Sequence, residues 1–225
     1  MRNPARLLLS GAVLVVSASC SGDNSVAPHA VPNVFGNPSL RALAVAQTVD
    51  LTIPASGGTL QILDVYTLEV PAGAVCDPNT ADTQTGYANG EWDAPCTPAN
   101  RDIPIHVTVK LSNGKLYADF SPALRFVPSK QVLLSTTLLA PVVEYFSAND
   151  LNLGFEFAYS PALDAAGVAD ALVDPTLRTV VVGRSGKVYR RVKHFSGYQI
   201  TLGDGTYIPC DPQAGDPGCV WVNET

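Results

Sequence analysis

From Thr48 onward the chain is built of short runs in which apolar and polar residues alternate, each run stopped by Gly, Pro, Asn or Asp. A period of two puts successive side chains on opposite faces of an extended backbone, so each run buries one face as a strand. Val49, Leu51 and Ile53 form the first stripe, and Gly57-Gly58 separates it from Leu60 and Ile62. Tyr66, Leu68 and Val70 form the next, ending at Pro71-Ala72-Gly73. Ile103, Ile105, Val107 and Val109 follow, and Ser112-Asn113-Gly114 supplies the positive-φ residues for a hairpin into Leu116 and Ala118 or Tyr117 and Phe120. Further strands are expected at 124–127, 132–138, 142–146, 155–159, 177–182 and 188–195, the last two joined by Arg184-Ser185-Gly186. One alanine-rich stretch, 164–172, reads as a short helix. Many short strands without a long helix imply an all-β fold, an antiparallel β-sandwich of about ten strands in a single domain.

The first twenty residues point to the compartment. Arg2 and Arg6 precede an apolar run at 7–16, then Ser17-Ala18-Ser19 lead to Cys20. That run is about half of what a membrane-spanning helix needs, so it reads as a cleaved export signal. Small residues directly before a cysteine resemble the lipobox of bacterial lipoproteins, with Ser17 where an aliphatic residue is usual. Residues 1–19 are then the signal peptide and Cys20 the lipid anchor. Ser21 resembles the sorting position of lipoproteins sent on to an outer membrane, which places the protein in the bacterial envelope, facing periplasm or exterior. The chain has five cysteines, and acylating Cys20 leaves four to pair in an oxidising compartment. Three connectivities are open, and pairing of neighbours, Cys76 with Cys96 and Cys210 with Cys219, is the choice made. Each bond would close a polar loop with little core of its own, a stabilisation of roughly 2 to 4 kcal/mol.

Residues 20–47 are rich in Ser, Asn, Pro and Ala, a composition that reads as a disordered spacer holding the domain off the membrane. The sandwich is expected at 48–203 and a disulfide-closed tail at 204–225. Arg2 and Arg6 leave with the signal, so the formal charge of −6 becomes −8. An acidic protein lacks the surplus of Lys and Arg that phosphate contacts need, which argues against nucleic acid as partner. The remaining partners are the membrane, through the lipid on Cys20, and an envelope protein or glycan.

One segment points to chemistry. His194-Phe195-Ser196, followed by Gly197-Tyr198, places a hydroxyl nucleophile, a proton carrier and a flexible glycine together. Ser196 can attack the carbonyl of Phe195 while His194 protonates the departing nitrogen, and water then hydrolyses the ester. An amide resists this because its resonance barrier is roughly 18 to 20 kcal/mol, so the reaction would need a twisted bond, with Gly197 permitting the unusual backbone angle. On a regular strand, by contrast, His194 and Ser196 share a face with Val188 and Val192 and are too far apart to react. The cluster Arg178, Arg184, Lys187, Arg190, Arg191 and Lys193 either solvates a strand or binds an acidic glycan or headgroup. His29 reads as a spacer residue, His106 as a half-buried or surface packing residue, and Asp77, Asn79 and Asp82 as a solvated loop rather than a calcium site. No nucleophile elbow, phosphate-binding glycine loop or zinc-protease helix occurs, and no cofactor or metal is called for.

Gly57-Gly58-Thr59-Leu60, the run Leu68-Glu69-Val70-Pro71-Ala72-Gly73-Ala74-Val75, Phe120-Ser121-Pro122 leading to Phe126 and Pro128, and His194-Phe195-Ser196-Gly197-Tyr198 occur in that order. In this arrangement residues 48–201 resemble the ZU-five domain of zonula occludens proteins, uncoordinated-five netrin receptors and ankyrins. The resemblance implies a β-sandwich. Certain ZU-five death-domain scaffolds cut themselves between Phe and Ser of a His-Phe-Ser motif, as does an unrelated nuclear-pore domain, which maps scission onto His194, Phe195 and Ser196. The Cys76 to Cys96 insertion, the lipoprotein start and the missing death domain depart from the animal members. The first expectation is therefore a binding or scaffold module without turnover. The alternative is a module cut between Phe195 and Ser196 whose fragments stay associated, and a glycan-binding or glycan-active sandwich is a third.

Overall fold

The computed structural model describes residues 38–112, 115–138, 155–161, 163, 167–168, 170–182 and 185–202. Cys20, Cys210, Cys219, His29, Arg184 and the strand expected at 142–146 lie outside them. Ten strands are described: β1 (Gln47–Ile53), β2 (Gly58–Ile62), β3 (Tyr66–Val70), β4 (Ile103–Ser112), β5 (Lys115–Ser121), β6 (Val132–Thr136), β7 (Phe155–Ser160), β8 (Val180–Val182), β9 (Lys187–Val192) and β10 (Gly197–Leu202). They form two antiparallel five-stranded sheets, in the orders β1-β4-β5-β10-β7 and β2-β3-β6-β9-β8. The fold is an all-β sandwich, as the alternation implies. No helix among the described residues is long and apolar enough to cross a membrane.

The register follows from burial. In β4 the inward set Ile103, Ile105, Val107 and Val109 is buried, while Pro104 and His106 between them are exposed. A slip of one residue would turn this whole set to solvent, so the pairing of Val107 with Val49 and Phe120 is strongly specified. The two inner faces meet over Ile62, Leu68, Leu134, Val188, Phe157 and Phe195, which lie in one contiguous core.

The elements differ from the expected ones in several places. The end of the spacer belongs to the fold, because Pro38–Ala42 forms a short helix, α1, and Leu40 and Leu43 are buried in the core. The expected strand at 124–127 is reduced to isolated bridges, Val75 to Phe126 and Arg125 to His194. The expected strand at 177–182 keeps only β8, since Pro175–Leu177 is a 3₁₀ turn capped by Asp174. Of the expected helix at 164–172, the described part with helical form is the 3₁₀ turn Asp170–Leu172. Inside the loop between Cys76 and Cys96, a nine-residue helix appears that the polar sequence did not announce, α2 (Ala81–Asn89).

The most consequential difference concerns the strand expected at 188–195. β9 stops at Val192 in one sheet and β10 starts at Gly197 in the other, so residues 193–196 are the crossover between sheets. Period-two alternation fixes which face a residue takes. It carries no mark of where a chain leaves one sheet for the other.

Candidate functional site

The crossover is held by main-chain bonds on both sides. Phe195 N donates to Leu124 O, Phe126 N to Lys193 O and Phe120 N to Ser196 O, at 2.7, 2.9 and 2.8 Å. Phe195 is fully buried, stacked on Phe120 with ring centroids 4.4 Å apart and edge-on to Phe126 at 4.8 Å. Tyr198 reaches back and donates its hydroxyl to His194 O at 2.6 Å. The residues on either side of the Phe195-Ser196 bond are therefore fixed by core packing, while Ser196 itself is half-buried and reachable by water.

Leaving the strand brings the reactive side chains together. Ser196 Oγ lies 3.1 Å from His194 Nδ1, a separation that a flat strand would not allow. His194 is buried and boxed by rings: Trp92 stacks on it at 3.8 Å, and Tyr159 and Tyr87 meet it edge-on at 5.0 and 6.4 Å. Burial, with the charge of Arg190 added, lowers its pKa to about 4, although a hydrogen bond with the Phe195 main chain works the other way. At neutral pH the ring is uncharged, and in the Nε2–H tautomer its Nδ1 lone pair accepts the serine proton. Tyr87 completes the group, donating its hydroxyl to Phe195 O at 3.1 Å. Burial raises the Tyr87 pKa, helped by Tyr159 and Asp119 and opposed by a side-chain hydrogen bond with Ser196. A hydroxyl, a neutral imidazole and a phenol thus converge on one peptide bond.

No family model, curated protein or solved structure matches the chain.

Tyr87 and Trp92 arrive on the loop between Cys76 and Cys96. These two cysteines are bonded, with Cα atoms 5.6 Å apart, as the neighbour pairing anticipated. The α2 helix begins after Thr80, and Gly90 closes it in the left-handed conformation with its N–H on the carbonyls of Gly86 and Tyr87. Arg125, fully buried, passes beneath α2 and donates to the carbonyls of Asp82, at 3.2 Å, and Ala94. Gly86 makes room for it, since a Cβ there would fall 1.9 Å from Arg125 Nη1. Asp77 takes two bonds from Arg101, at 2.8 and 2.9 Å, and Lys193 reaches Asp93 at 2.6 Å and also Asp174. The loop is thereby fastened over the crossover at several separate points.

Two expectations about the site change. Gly197 does not take an unusual backbone angle: it is absent from the positive-φ glycines, and the Phe195-Ser196 bond is trans. Its role is close approach, because a Cβ at Gly197 would lie 2.5 Å from Ser160 O on the paired strand β7. Three members of the basic cluster are paired with carboxylates of the same chain, and a fourth bonds a main-chain carbonyl. Lys187 pairs with Glu69, Arg190 with Asp170, Lys193 with Asp93 and Asp174, and Arg191 donates to Pro128 O. His106 sits on the exposed face of β4 beside Asp50, and the carboxylates of Asp77 and Asp82 are taken by Arg101 and by the main chain of Asn79 and Thr97. Tyr87, Trp92, Tyr159 and Arg125 were not singled out from sequence. A signal did exist for two of them: Tyr87 and Trp92 are the aromatics of an otherwise small and polar loop, and such rings need something to cover.

Proposed function

We propose that the protein is a ZU-five-like module of the bacterial envelope, tethered by a lipid on Cys20, that cuts its own chain between Phe195 and Ser196 and keeps both pieces in one sandwich. The approach of Ser196 Oγ to within 3.1 Å of a buried, neutral His194 carries this reading. In the first step Ser196 Oγ attacks the Phe195 carbonyl carbon as its proton passes to His194 Nδ1. The tetrahedral intermediate expels the Ser196 nitrogen, which takes the proton from His194 and leaves an ester between Phe195 and Ser196 Oγ. Water then cleaves the ester, giving the Phe195 carboxylate and restoring the Ser196 hydroxyl. The stacked indole of Trp92 favours the imidazolium formed in transit through its ring face.

The test is intact mass of the full protein under denaturing, reducing conditions. Self-scission gives a species beginning at Ser196 that disappears in Ser196→Ala. One observation favours a second reading, a binding or scaffold module without scission: no residue from 193 to 197 has a positive φ, so the backbone carries no left-handed strain at the bond. A single uncut chain selects that reading. The same spectrum reports whether Cys20 carries acyl mass.

A further inference from the structure

If the amide is not activated by left-handed backbone strain, activation must come from groups around it. The attacking hydroxyl and the base are supplied by the tripeptide itself, and His194 also has a hydrogen bond with the Phe195 main chain, but the negative charge that develops on the Phe195 oxygen calls for a further donor besides the ring that is carrying the serine proton. The side chain donating to that oxygen is Tyr87, which lies 108 positions away in sequence and on another element. Its partner aromatic, Trp92, meets it edge-on at 5.2 Å and covers the base, so one loop contributes to both halves of the reaction.

We propose that Tyr87 is a catalytic residue of self-scission, the hydrogen-bond donor that stabilises the oxyanion on Phe195, and that the loop between Cys76 and Cys96 exists in this chain to deliver it. This rests on the reading of His194-Phe195-Ser196 as a self-cutting site. As Ser196 Oγ bonds to the carbonyl carbon, the π pair moves onto oxygen, and the Tyr87 O–H already points there. When the C–N bond breaks, the pair returns to re-form the carbonyl of the ester, so Tyr87 neither gains nor loses a proton over the cycle. A donor fixed before the reaction needs no reorganisation while charge develops, and removing one such donor slows acyl-transfer enzymes by about 10²–10³-fold. Tyr87 is suited to hold that position. Its α2 helix is pinned by the disulfide and by Arg125. Burial, then Tyr159 and Asp119, raise the phenol's pKa against the lowering bond with Ser196, and the uncharged His194 ring faces it edge-on, so the hydroxyl keeps its proton at neutral pH.

The full chain, made by cell-free synthesis in oxidising buffer, is followed in time by intact mass as wild type, Ser196→Ala and Tyr87→Phe. The phenyl ring keeps the contact with Trp92 and loses only the hydroxyl. The expected result is scission in the wild type, none in Ser196→Ala, and a rate in Tyr87→Phe lower by about 10²–10³-fold with thermal unfolding unchanged. Equal rates in wild type and Tyr87→Phe overturn the role of Tyr87 and leave self-scission standing. No scission in the wild type overturns the reading of the tripeptide, and the role of Tyr87 with it. Should Tyr87→Phe melt early, fluorotyrosine at position 87 decides: it keeps the hydroxyl but ionises sooner, so scission should survive at pH 6 and fail at a lower alkaline pH than in wild type. An unmoved alkaline limb overturns the proposal.

Discussion

At the scale of single residues, His194 couples the chemistry of the site to the stability of the fold. Burial lowers its pKa from the ordinary 6.5 to about 4, so between those values the unfolded chain binds a proton that the folded chain refuses. Stability attributable to this group therefore falls as pH drops below 6.5 and levels off below about 4, a total of about 3 kcal/mol. Urea unfolding of uncut Ser196→Ala protein at pH 7 and pH 4 should show that loss. In the double variant with His194→Gln the loss should shrink by about 3 kcal/mol, the remainder coming from carboxylates such as Asp77, which its bond with Arg101 holds low, and Asp82, held low by Thr80. An identical loss in both would mean the imidazole is not shielded. The scission rate should be flat near neutrality and fall through about pH 4, where the base is protonated. Gly197 makes a separate prediction. A methyl group there meets Ser160 O at 2.5 Å, so Gly197→Ala should force β7 and β10 apart and cost about 1–3 kcal/mol in urea unfolding. An unshifted midpoint would show that the strands accommodate it.

Among the elements, the loop carrying α2 brings Tyr87 and Trp92 against the tripeptide. Its nine-residue helix has a weak apolar face, with Thr83 and Gly86 as its buried residues, so packing alone does not seat it. The disulfide, the bonds from Arg125 and the ion pairs of Asp77 and Asp93 supply the missing constraint. Closing a loop of this length removes unfolded-state freedom equivalent to about 3 kcal/mol. A chain with Cys76→Ser and Cys96→Ser should therefore unfold at lower urea and, in the wild-type background at Ser196, cut more slowly, because Tyr87 and Trp92 lose part of their hold over the crossover. Time courses by intact mass check this. A stability loss with an unchanged rate would show that Arg125 suffices to seat the loop. The strands were legible in sequence because each buries one face of an alternating run. The helix was not, because its residues are small and polar and its form is imposed by what it is tied to.

For the molecule as a whole, the consequence of a cut depends on topology. The proposed scission would separate the chain up to Phe195 from 196–225, and the shorter piece carries β10, which lies between β5 and β7 and pairs with both. Tyr198 and Ile200 of that strand are buried in the core. The fragments should co-elute in native size exclusion after scission and part only in denaturant, and a free 196–225 peptide in native buffer would contradict the arrangement. The tripeptide and the alternating runs could be taken from the sequence, because each depends on residues near one another along the chain or on a period local to a strand, whereas the sequence left three cysteine connectivities open and the fold shows Cys76 bonded to Cys96. Whether His194 and Ser196 face one another could not. That was decided where β9 and β10 join different sheets, a matter of how two layers pack over Phe120, Phe126 and Phe195. The placement of Tyr87 on the Phe195 carbonyl was decided the same way, since a contact across 108 residues is set by the packing of remote surfaces and leaves no periodic trace in the chain.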